Sequence, residues 1–483
     1  MAQFLLFEEK CTVWDDARRC EAELDARLFS STATLEREFC EIAQSLEGDM
    51  ASRLAGSEYL KGTHAAYHGG YQEWDLAPKI LDRRCEALLR EAAETMYGIM
   101  EVTTRKCMED PSLCRCFGLP DSFHADMVAP RGNESFIPLA RADILLDETT
   151  GEYWFCEVNT DGTFGFTVAD EVTAAIRASK TCRCFEERHP GTTAFACRET
   201  WMNALLEGYS RWHAASDGAN PETPSLALVD YPESVERSEV EDFVERFRAR
   251  GVPARFSDIR SLKLERRGAR TQLVDEAGPI SCVWPRVVTG EMLAKPCAGA
   301  RALRQAAHDD LAYVVGGPRT WPVAMKTFFA VLHMPVATSF LSPEQLQFVR
   351  DHVPYTRAIK QEDNLALYRA RARWILKPPD GYNGRDIVAG CGVDALSWEA
   401  ALRKTIAQGG VAQRYIAPYA TASIPGHMRG KGLDPLEFRP AHTMLGLFLF
   451  NGRFSGVYSR CGYEAVIGEK QGRLNQGCLR VGG

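Results

Sequence analysis

The chain contains four polar residues, close together in sequence, whose types suit a metal site and the stabilisation of a transferring anion: Arg141, Asp143, Glu157 and Asn159. They lie on or beside two short apolar segments, 143–147 and 153–158, which flank the polar stretch 148–152. This pattern is typical of a β-hairpin with a polar turn. Because side chains on a strand alternate faces, each strand places its two polar residues on one face. A hairpin in the matching register therefore brings two carboxylates, one amide and one guanidinium onto a single patch.

The chemistry that suits this patch is Mg²⁺ binding beside a group that stabilises negative charge. Mg²⁺ takes oxygen ligands and keeps waters and phosphate oxygens in its shell, so Asp143, Glu157 and Asn159 are its predicted ligands. Arg141 is predicted to stabilise a transferring phosphoryl group or a tetrahedral intermediate. The alternative is a solvated edge hairpin in which Arg141 pairs with Asp143 or Glu157. The Thr-Asp-Gly-Thr stretch at 160–163 favours the first interpretation, because such turns present backbone N–H groups to anions.

A second candidate segment lies late in the chain, where Trp374–Lys377 predicts a strand that enters a glycine-bearing loop. Gly381 and Gly384 would let the loop close over phosphates, and Lys377 would supply a positive charge to them. The loop is not a Walker A motif, because no Gly-Lys-Ser/Thr sequence ends it. A surface hairpin is the alternative explanation. The predicted strand Val411–Ile416 argues against that alternative, because it leads to a connector that can offer backbone groups to an adenine edge.

The Lys-Pro…Gly-x-x-Gly loop at 377–384, followed by Gln-Arg-Tyr-Ile at 413–416, resembles the nucleotide-binding half of ATP-grasp enzymes. In most of that superfamily the Glu and Asn that bind Mg²⁺ follow this loop, whereas here Glu-Val-Asn at 157–159 precedes it. This inverted order resembles the circularly permuted branch, represented by glutathionylspermidine synthase-like proteins. In those proteins an Arg-x-Asp strand and a Glu-x-Asn strand form the metal site. The segment 326–332 resembles the family's helix whose lysine, here Lys326, reaches the nucleotide phosphates.

The resemblance implies a mixed α/β (α+β) protein with an ATP-grasp fold in circularly permuted order, a small Rossmann-like pre-ATP-grasp α/β domain and a helical N-terminal region. It also implies an ATP- and Mg²⁺-dependent ligase that joins a small-molecule or peptide carboxylate to an amine through an acyl-phosphate. The implied nucleotide contacts are Lys326, Lys377, Gly381, Gly384, Gln413, Tyr415 and Ile416. Two departures put glutathione and spermidine in doubt as the substrates. Glutathionylspermidine synthase itself typically follows its Glu-x-Asn with Ala-Asp-Thr-Pro, where this chain has Thr-Asp-Gly-Thr-Phe at 160–164. Some bacterial members also carry an amidase domain, for which this sequence has no segment of sufficient length.

The predicted domains are a helical N-terminal region at 1–130, the metal-binding part at 131–220, the pre-ATP-grasp domain at 221–320 and the nucleotide-binding part at 321–483. The helical prediction depends on apolar residues at three- and four-residue spacings, as in 16–28 and 80–100. The β-α-β order over 225–256, with a further strand at 280–287, indicates a small parallel sheet. Its lack of a glycine fingerprint argues against a dinucleotide site. A hairpin around an Asn-Gly turn is predicted over 444–458.

The composition bears on size, partners and location. The chain has 483 residues, 45% hydrophobic and 25% charged, which is typical of a globular protein with two or three lobes. A formal net charge of −8 disfavours nonspecific nucleic-acid binding, which needs many Lys and Arg contacts. No apolar run approaches the roughly 18 residues of a spanning helix, and nothing at the N-terminus resembles an export signal. We expect no nucleic acid, no membrane and a cytoplasmic location, with the 16 cysteines reduced and mostly buried.

Other interpretations compete with a ligase. A degenerate member of the same fold would bind ATP or act as a scaffold without catalysis, although the intact set of polar residues argues against degeneration. A metal-dependent hydrolase that uses only the acidic hairpin is less favoured, because the nearest histidine in sequence is His124. Catalysis by Cys156 is disfavoured, because its side chain points opposite to Glu157 on the strand. Arg460 and Arg286 are each either a ligand contact or part of a structural ion pair.

Overall fold

The computed structural model describes residues 29–67, 70–130, 135–216, 220–361, 365–381, 384–427 and 438–482, which form a mixed α/β fold. Within those residues the α-helices are α1 (Thr32–Ser45), α2 (Met50–Lys61), α3 (Arg83–Glu109), α4 (Pro111–Cys116), α5 (Phe166–Arg177), α6 (Lys180–Arg188), α7 (Cys197–Ala215), α8 (Arg237–Ala249), α9 (Thr289–Ala294), α10 (Ala298–His308), α11 (Trp321–Ala324), α12 (Thr327–Leu332), α13 (Pro343–His352) and α14 (Ala395–Ala407).

The strands of the same residues are β1 (Ala66–Tyr67), β2 (Gly70–Tyr71), β3 (Trp74–Leu81), β4 (Leu139–Leu146), β5 (Tyr153–Asn159), β6 (Thr193–Ala194), β7 (Leu226–Asp230), β8 (Ala254–Asp258), β9 (Lys263–Arg267), β10 (Arg270–Asp275), β11 (Gly278–Ile280), β12 (Cys282–Pro285), β13 (Tyr313–Val314), β14 (Thr356–Ala358), β15 (Trp374–Lys377), β16 (Val388–Ala389), β17 (Val411–Arg414), β18 (Ala420–Ser423), β19 (Pro425–His427), β20 (Arg439–Phe450), β21 (Arg453–Gly462) and β22 (Leu474–Arg480).

The largest sheet of the described residues joins segments that are widely separated in sequence. It has nine strands in the order β19-β3-β22-β21-β20-β4-β5, with β18 paired to β20 and β6 paired to β22. Its central hairpin, β20–β21, turns at Asn451 and Gly452, whose φ values of 48° and 82° suit an Asn-Gly turn. The hairpin predicted over 444–458 is therefore confirmed. It places β4 beside β20 and β5 at one end of the sheet.

The N-terminal region differs from the helical prediction at strand β3. This strand enters the largest sheet between β19 and β22, and all eight of its residues are buried. A strand that is buried on both faces has no apolar–polar alternation, so apolar spacing alone does not distinguish it from a helix. The helix predicted over 80–100 begins at Arg83, is capped by the Asp82 side chain and continues to Glu109. The helix predicted over 16–28 lies outside the described residues.

The segment after α7 contains a small parallel sheet in the order β13-β12-β7-β8, in which α8 connects β7 to β8. The predicted parallel β-α-β arrangement is confirmed. A separate antiparallel sheet, β11-β10-β9, is absent from the sequence prediction, because strand β9 is Lys-Leu-Glu-Arg-Arg and is largely exposed. The carboxyl end of β7, at Asp230, opens into a cavity shared with the neighbouring sheets. Ligands of parallel sheets usually bind at this end of the strands.

A smaller antiparallel sheet, β14-β17-β15-β16, packs one face against α14 through Leu376, Ala412, Trp398 and Leu402. Alternation along the strands places Ile375 and Gln413 on the opposite face, where they line the same cavity. One strand is shorter than predicted, since the strand expected to reach Ile416 ends at Arg414.

The cysteines of the described residues are free thiols, and most of them are buried. Burial keeps such thiols protonated and raises, for example, the pKa of the Cys85 thiol to about 12. No helix in the described part of the chain combines the length and the apolar character that crossing a membrane would require.

Candidate active site

A cavity of about 230 Å³ lies where the β4–β5 hairpin, the smaller antiparallel sheet and the carboxyl end of the parallel sheet meet. Most of the site residues predicted from the sequence line it: Arg141, Glu157, Asn159, Lys377, Gly381, Gly384, Gln413, Tyr415 and Ile416. A concave cavity with several convergent polar groups is the usual form of a ligand site. The acidic hairpin and the lysine–glycine loop, far apart in sequence, therefore face one space.

The pairing of β4 with β5 places the four polar residues of the hairpin on one face. Asn159 on β5 lies opposite Arg141 on β4, and Glu157 lies opposite Asp143. On each strand the two polar residues are two positions apart, so all four side chains lie on the same face. This confirms the register on which the convergence of these residues depends. Arg141 is 8% exposed and Asp143 is fully buried, so the hairpin does not have the solvated face of the alternative interpretation.

Asp143 lies beneath the cavity and binds two guanidinium groups. Its Oδ1 and Oδ2 accept hydrogen bonds from Arg141 Nε at 2.8 Å and Arg141 Nη2 at 3.1 Å. Arg460 Nη2 lies 2.9 Å from Asp143 Oδ1. The sequence predicts Asp143 as a metal ligand, but both of its oxygens are engaged by arginines and it does not line the cavity. Its observed role is to hold Arg141 and Arg460 against the cavity wall.

Glu157 carries a carboxylate that is flanked by a lysine and an amide. Lys326 Nζ lies 2.8 Å from Glu157 Oε2, and Asn159 Nδ2 donates to Glu157 Oε1 at 3.4 Å. Burial by itself raises the pKa of Glu157, but Lys326, then Lys377 and Arg141, outweigh it and hold that pKa well below its ordinary value. Glu157 is therefore an anion at all physiological pH values, as a metal ligand must be. Lys326 lies behind this carboxylate and does not itself line the cavity.

Lys377 ends β15 and lies 95% buried in the cavity wall. Its Nζ donates to the backbone oxygen of Cys156 at 2.8 Å, and burial lowers the pKa of its ammonium group. The following loop is tied to the start of α12, because Lys326 N donates to Pro379 O at 2.9 Å. Both predicted lysines therefore lie near Glu157, and a hydrogen bond that involves the backbone holds each of them. The φ value of +69° at Gly384 is one that glycine adopts without a steric cost.

The predicted adenine segment lines the cavity, but the side chains of two of its residues are engaged elsewhere. Gln413 Nε2 donates to Thr356 Oγ1 at 3.0 Å within the small sheet. The Tyr415 hydroxyl donates to Ala465 O at 3.2 Å, and its backbone N–H donates to Arg373 O at 2.8 Å. Any contact between these residues and an adenine edge would therefore use other atoms, chiefly the remaining backbone groups around Ile416.

Several cavity residues were not predicted as site residues: Asp161, Asp230, Glu291, Asp380 and Arg473. Asp230 ends a buried parallel strand, which is a position that the β-α-β pattern makes identifiable. Burial raises the pKa of Asp230 to about 7. Asp380 directly precedes Gly381 in the loop already singled out, so proximity to the motif could have indicated it. Arg473 gives no such signal, because it lies just before β22 outside every motif.

The residues present fit a polyanionic ligand together with a hard cation. Arg460 and Arg473 are 4% and 6% exposed, and each has a buried Nε that lacks a hydrogen-bond partner among the described residues. Buried donors without partners are costly, so a bound anion would satisfy them. Glu157 and Asn159 supply the oxygen ligands that Mg²⁺ prefers. Within the described ranges, no group of three or more His, Cys, Asp and Glu side chains is arranged to hold a metal.

Gly446 on β20 leaves the space in which the two arginines meet Asp143. A Cβ at this position would lie 2.7 Å from Arg141 Cδ and 2.9 Å from Asp143 Oδ1. We expect Gly446→Ala to lower the free energy of unfolding in urea by about 1–3 kcal/mol, because overpacking displaces closely packed neighbours. Gly98→Ala in α3 is the matched control, since nothing lies within 4 Å of its added Cβ. Equal stability of Gly446→Ala and the wild type would contradict the packing described.

The structure was compared with known proteins. It matches a glutathione synthetase-like effector from Globodera pallida, in its apo form, with a TM-score of 0.55 and 14% identity over 89% of this chain and 96% of that chain. The two proteins share a fold. This confirms the prediction of a mixed α/β fold.

Two further matches have lower TM-scores. A putative γ-glutamylcysteine synthetase from Methylobacillus flagellatus gives a TM-score of 0.36 and 10% identity, covering 77% of this chain and 82% of that one. D-cycloserine synthetase gives 0.27 and 14%, covering 53% and 91%. The fold assignment therefore depends on the first match alone. No protein-family model and no curated protein sequence matches the chain.

Proposed function

We propose that this protein is an ATP- and Mg²⁺-dependent carboxylate–amine ligase of the circularly permuted, glutathionylspermidine synthase-like ATP-grasp type. The observation that carries the proposal is the single cavity lined by Glu157 and Asn159 from the hairpin and by Lys377 from the glycine loop. The fold shared with a glutathione synthetase-like protein supports the assignment to ligases. The order of the segments, with the hairpin first, agrees with the permuted branch.

The phosphates of ATP would be bound by the basic groups around Glu157. Lys377 is buried, carries a positive charge and has a backbone carbonyl as its hydrogen-bond acceptor. Lys326 is ion-paired with the same carboxylate and does not line the cavity, so it would add positive charge to the site without contacting a phosphate. A charge–charge attraction in such a buried site is several times stronger than in bulk water. Gly381 and Gly384 line the adjoining wall, and the loop to which they belong would cover the phosphate chain.

Mg²⁺ would be held by Glu157 and Asn159, with phosphate oxygens completing its shell. When bound, the ion would neutralise the negative charge that develops on the phosphates. Asp380 lines the same cavity and is a further carboxylate oxygen donor. Asp143 supports this arrangement indirectly, because it orients Arg141 and Arg460. The chain's own contribution is thus a preorganised set of charges, which requires no nucleophilic side chain.

Arg141 and Arg460 would stabilise the transferring phosphoryl group. A substrate carboxylate oxygen attacks the γ-phosphorus of ATP, ADP leaves, and an acyl-phosphate forms. The nitrogen of the amine then attacks the acyl carbon, inorganic phosphate leaves, and the nitrogen loses a proton. Because both guanidinium groups are fixed by Asp143 before the reaction, little reorganisation is needed as negative charge develops.

The test is a screen for ATP-dependent phosphate release across pairs of carboxylates and amines, with products identified by mass spectrometry. We expect release to require Mg²⁺, one carboxylate and one amine, with one amide formed per phosphate. Tight nucleotide binding without turnover across the panel would favour the non-catalytic scaffold. Hydrolysis without nucleotide would favour the metal-dependent hydrolase.

A further inference from the structure

The turn that follows Asn159, residues 160–165, is held by buried arginines on both sides. Arg141 Nη1 donates to the backbone oxygen of Phe164 at 2.6 Å. Arg286 Nη1 donates to the preceding carbonyl, Thr163 O, also at 2.6 Å. Arg141 comes from the largest sheet, whereas Arg286 follows the parallel strand β12. Two separate parts of the fold therefore hold consecutive carbonyl groups of one turn.

The second arginine is itself fixed by a fully buried carboxylate. Arg286 Nη2 lies 3.2 Å from Glu239 Oε1. Glu239 Oε2 accepts hydrogen bonds from Gly165 N and Thr167 N, at 3.1 Å each, where α5 begins. Glu239 thus binds both the arginine and the N-terminal end of the helix that follows the turn, where a negative charge is favourable.

The turn also packs closely against the parallel sheet along its length. Thr289 N donates to Asp161 Oδ2 at 2.7 Å. A Cβ at Gly162, whose φ is +58°, would lie 2.6 Å from Val288 Cγ1, so there is no room for a side chain. Asp161, Gly162, Thr163 and Phe164 all line the cavity. Any displacement of this turn therefore changes the cavity wall next to Asn159.

We propose that Arg286 and Glu239 are a positioning pair that fixes the 160–165 turn and so holds Asn159 in place for the metal. This inference rests on the proposed function. The pair contacts neither the metal ligands nor the lysines, and it acts through the backbone of the turn. Groups that orient a metal ligand without contacting the metal commonly change metal affinity by about 10- to 100-fold when removed. The parallel sheet thereby becomes part of the metal site without contributing a ligand to it.

The first measurement is amide hydrogen exchange over residues 158–168 in the nucleotide-free protein. We compare the wild type with Arg286→Lys, which cannot donate to two acceptors in a fork, and with Glu239→Gln, which keeps the shape of the side chain. Both variants are expected to exchange about 10-fold faster in this segment. Arg255→Lys is the matched control, because Arg255 pairs with Asp275 in the same part of the fold and has no hydrogen bond to the turn.

The second measurement is calorimetric ATP affinity, with Mg²⁺ and with a chelator. Arg286→Lys is expected to weaken binding about 10-fold in Mg²⁺ and to leave binding in chelator unchanged, since Lys377 remains in the cavity wall. Arg286 itself lines the cavity, so either a purely structural role or a direct contact with the nucleotide would weaken both equally. Unchanged exchange in the turn, or equal losses with and without Mg²⁺, would overturn the proposal. A wild type that binds no Mg·ATP would refute the proposed function first, and the exchange data would then show only whether the pair holds the turn.

Discussion

Replacing Glu157 with glutamine is expected to reduce Mg²⁺-dependent ATP turnover by at least about 100-fold, the order of loss seen when a preorganised charge is removed from an active site. Glutamine keeps the size of the side chain but removes the negative charge that would hold the cation. In the wild type Lys326 Nζ lies 2.8 Å from Glu157 Oε2. In the variant the same ammonium group would lie beside a neutral amide. Phosphate release by the purified variant is the measurement. Turnover equal to that of the wild type would contradict the metal assignment.

A stability measurement separates this loss from misfolding. Glu157 is one-fifth exposed and the substituted amide can still accept a hydrogen bond, so the expected loss in free energy of unfolding at pH 7 is about 1–2 kcal/mol. The pKa of Glu157 is depressed in the folded state, so its stabilising contribution is present above its unfolded pKa and is lost as the pH falls. The difference between wild type and Glu157→Gln should therefore shrink on acidification. Combining Glu157→Gln with Lys326→Met should recover stability without recovering turnover.

Replacing Lys377 with alanine is expected to weaken ATP binding by about 10- to 100-fold, because a hydrogen bond to a charged group is worth about 1.5–3 kcal/mol. The loss should appear in calorimetry both with and without Mg²⁺, since the contact is with phosphate and not with the metal. Burial lowers the pKa of the Lys377 ammonium group, so this group loses its charge at a lower pH than an ordinary lysine does. The ATP affinity of the wild type should therefore begin to fall at a lower alkaline pH than it would with a lysine of ordinary pKa.

Lys404→Ala is the control for the Lys377 variant. Lys404 pairs with Asp386 close to the glycine loop, but its side chain is 56% exposed and does not line the cavity. Surface ion pairs of this kind contribute about 0–1 kcal/mol, so neither stability nor ATP affinity should change measurably. An unchanged affinity in Lys377→Ala, or an equal loss in both variants, would remove the glycine loop from the proposed nucleotide site.

The parts of the site that could be predicted from sequence are those set by local rules. The β4–β5 hairpin follows from two short apolar segments around a polar turn, and its alternation places Glu157 and Asn159 on one face. The small parallel sheet follows from its β-α-β order. The proximity of the hairpin to Lys377 came only from the family resemblance, because no local pattern relates segments so far apart.

The remaining features depend on which strands become neighbours. From the sequence alone, Asp143 resembles a metal ligand. Its ion pair with Arg460 becomes visible only when the sheet places β21 next to β20, whose Gly446 lies opposite Asp143. Strand β3 is buried on both faces and therefore lacks the alternation by which strands are recognised. The contact of Arg286 with Thr163 becomes visible only once the parallel sheet packs against the 160–165 turn.

The most direct test of the central claim is a crystal structure of the protein with Mg²⁺ and a non-hydrolysable ATP analogue. We expect one nucleotide in the cavity, with its phosphates in contact with Lys377 and its Mg²⁺ bound by Glu157 and Asn159. A nucleotide bound elsewhere, or one that contacts the glycine loop while its metal lies away from the hairpin, would contradict it.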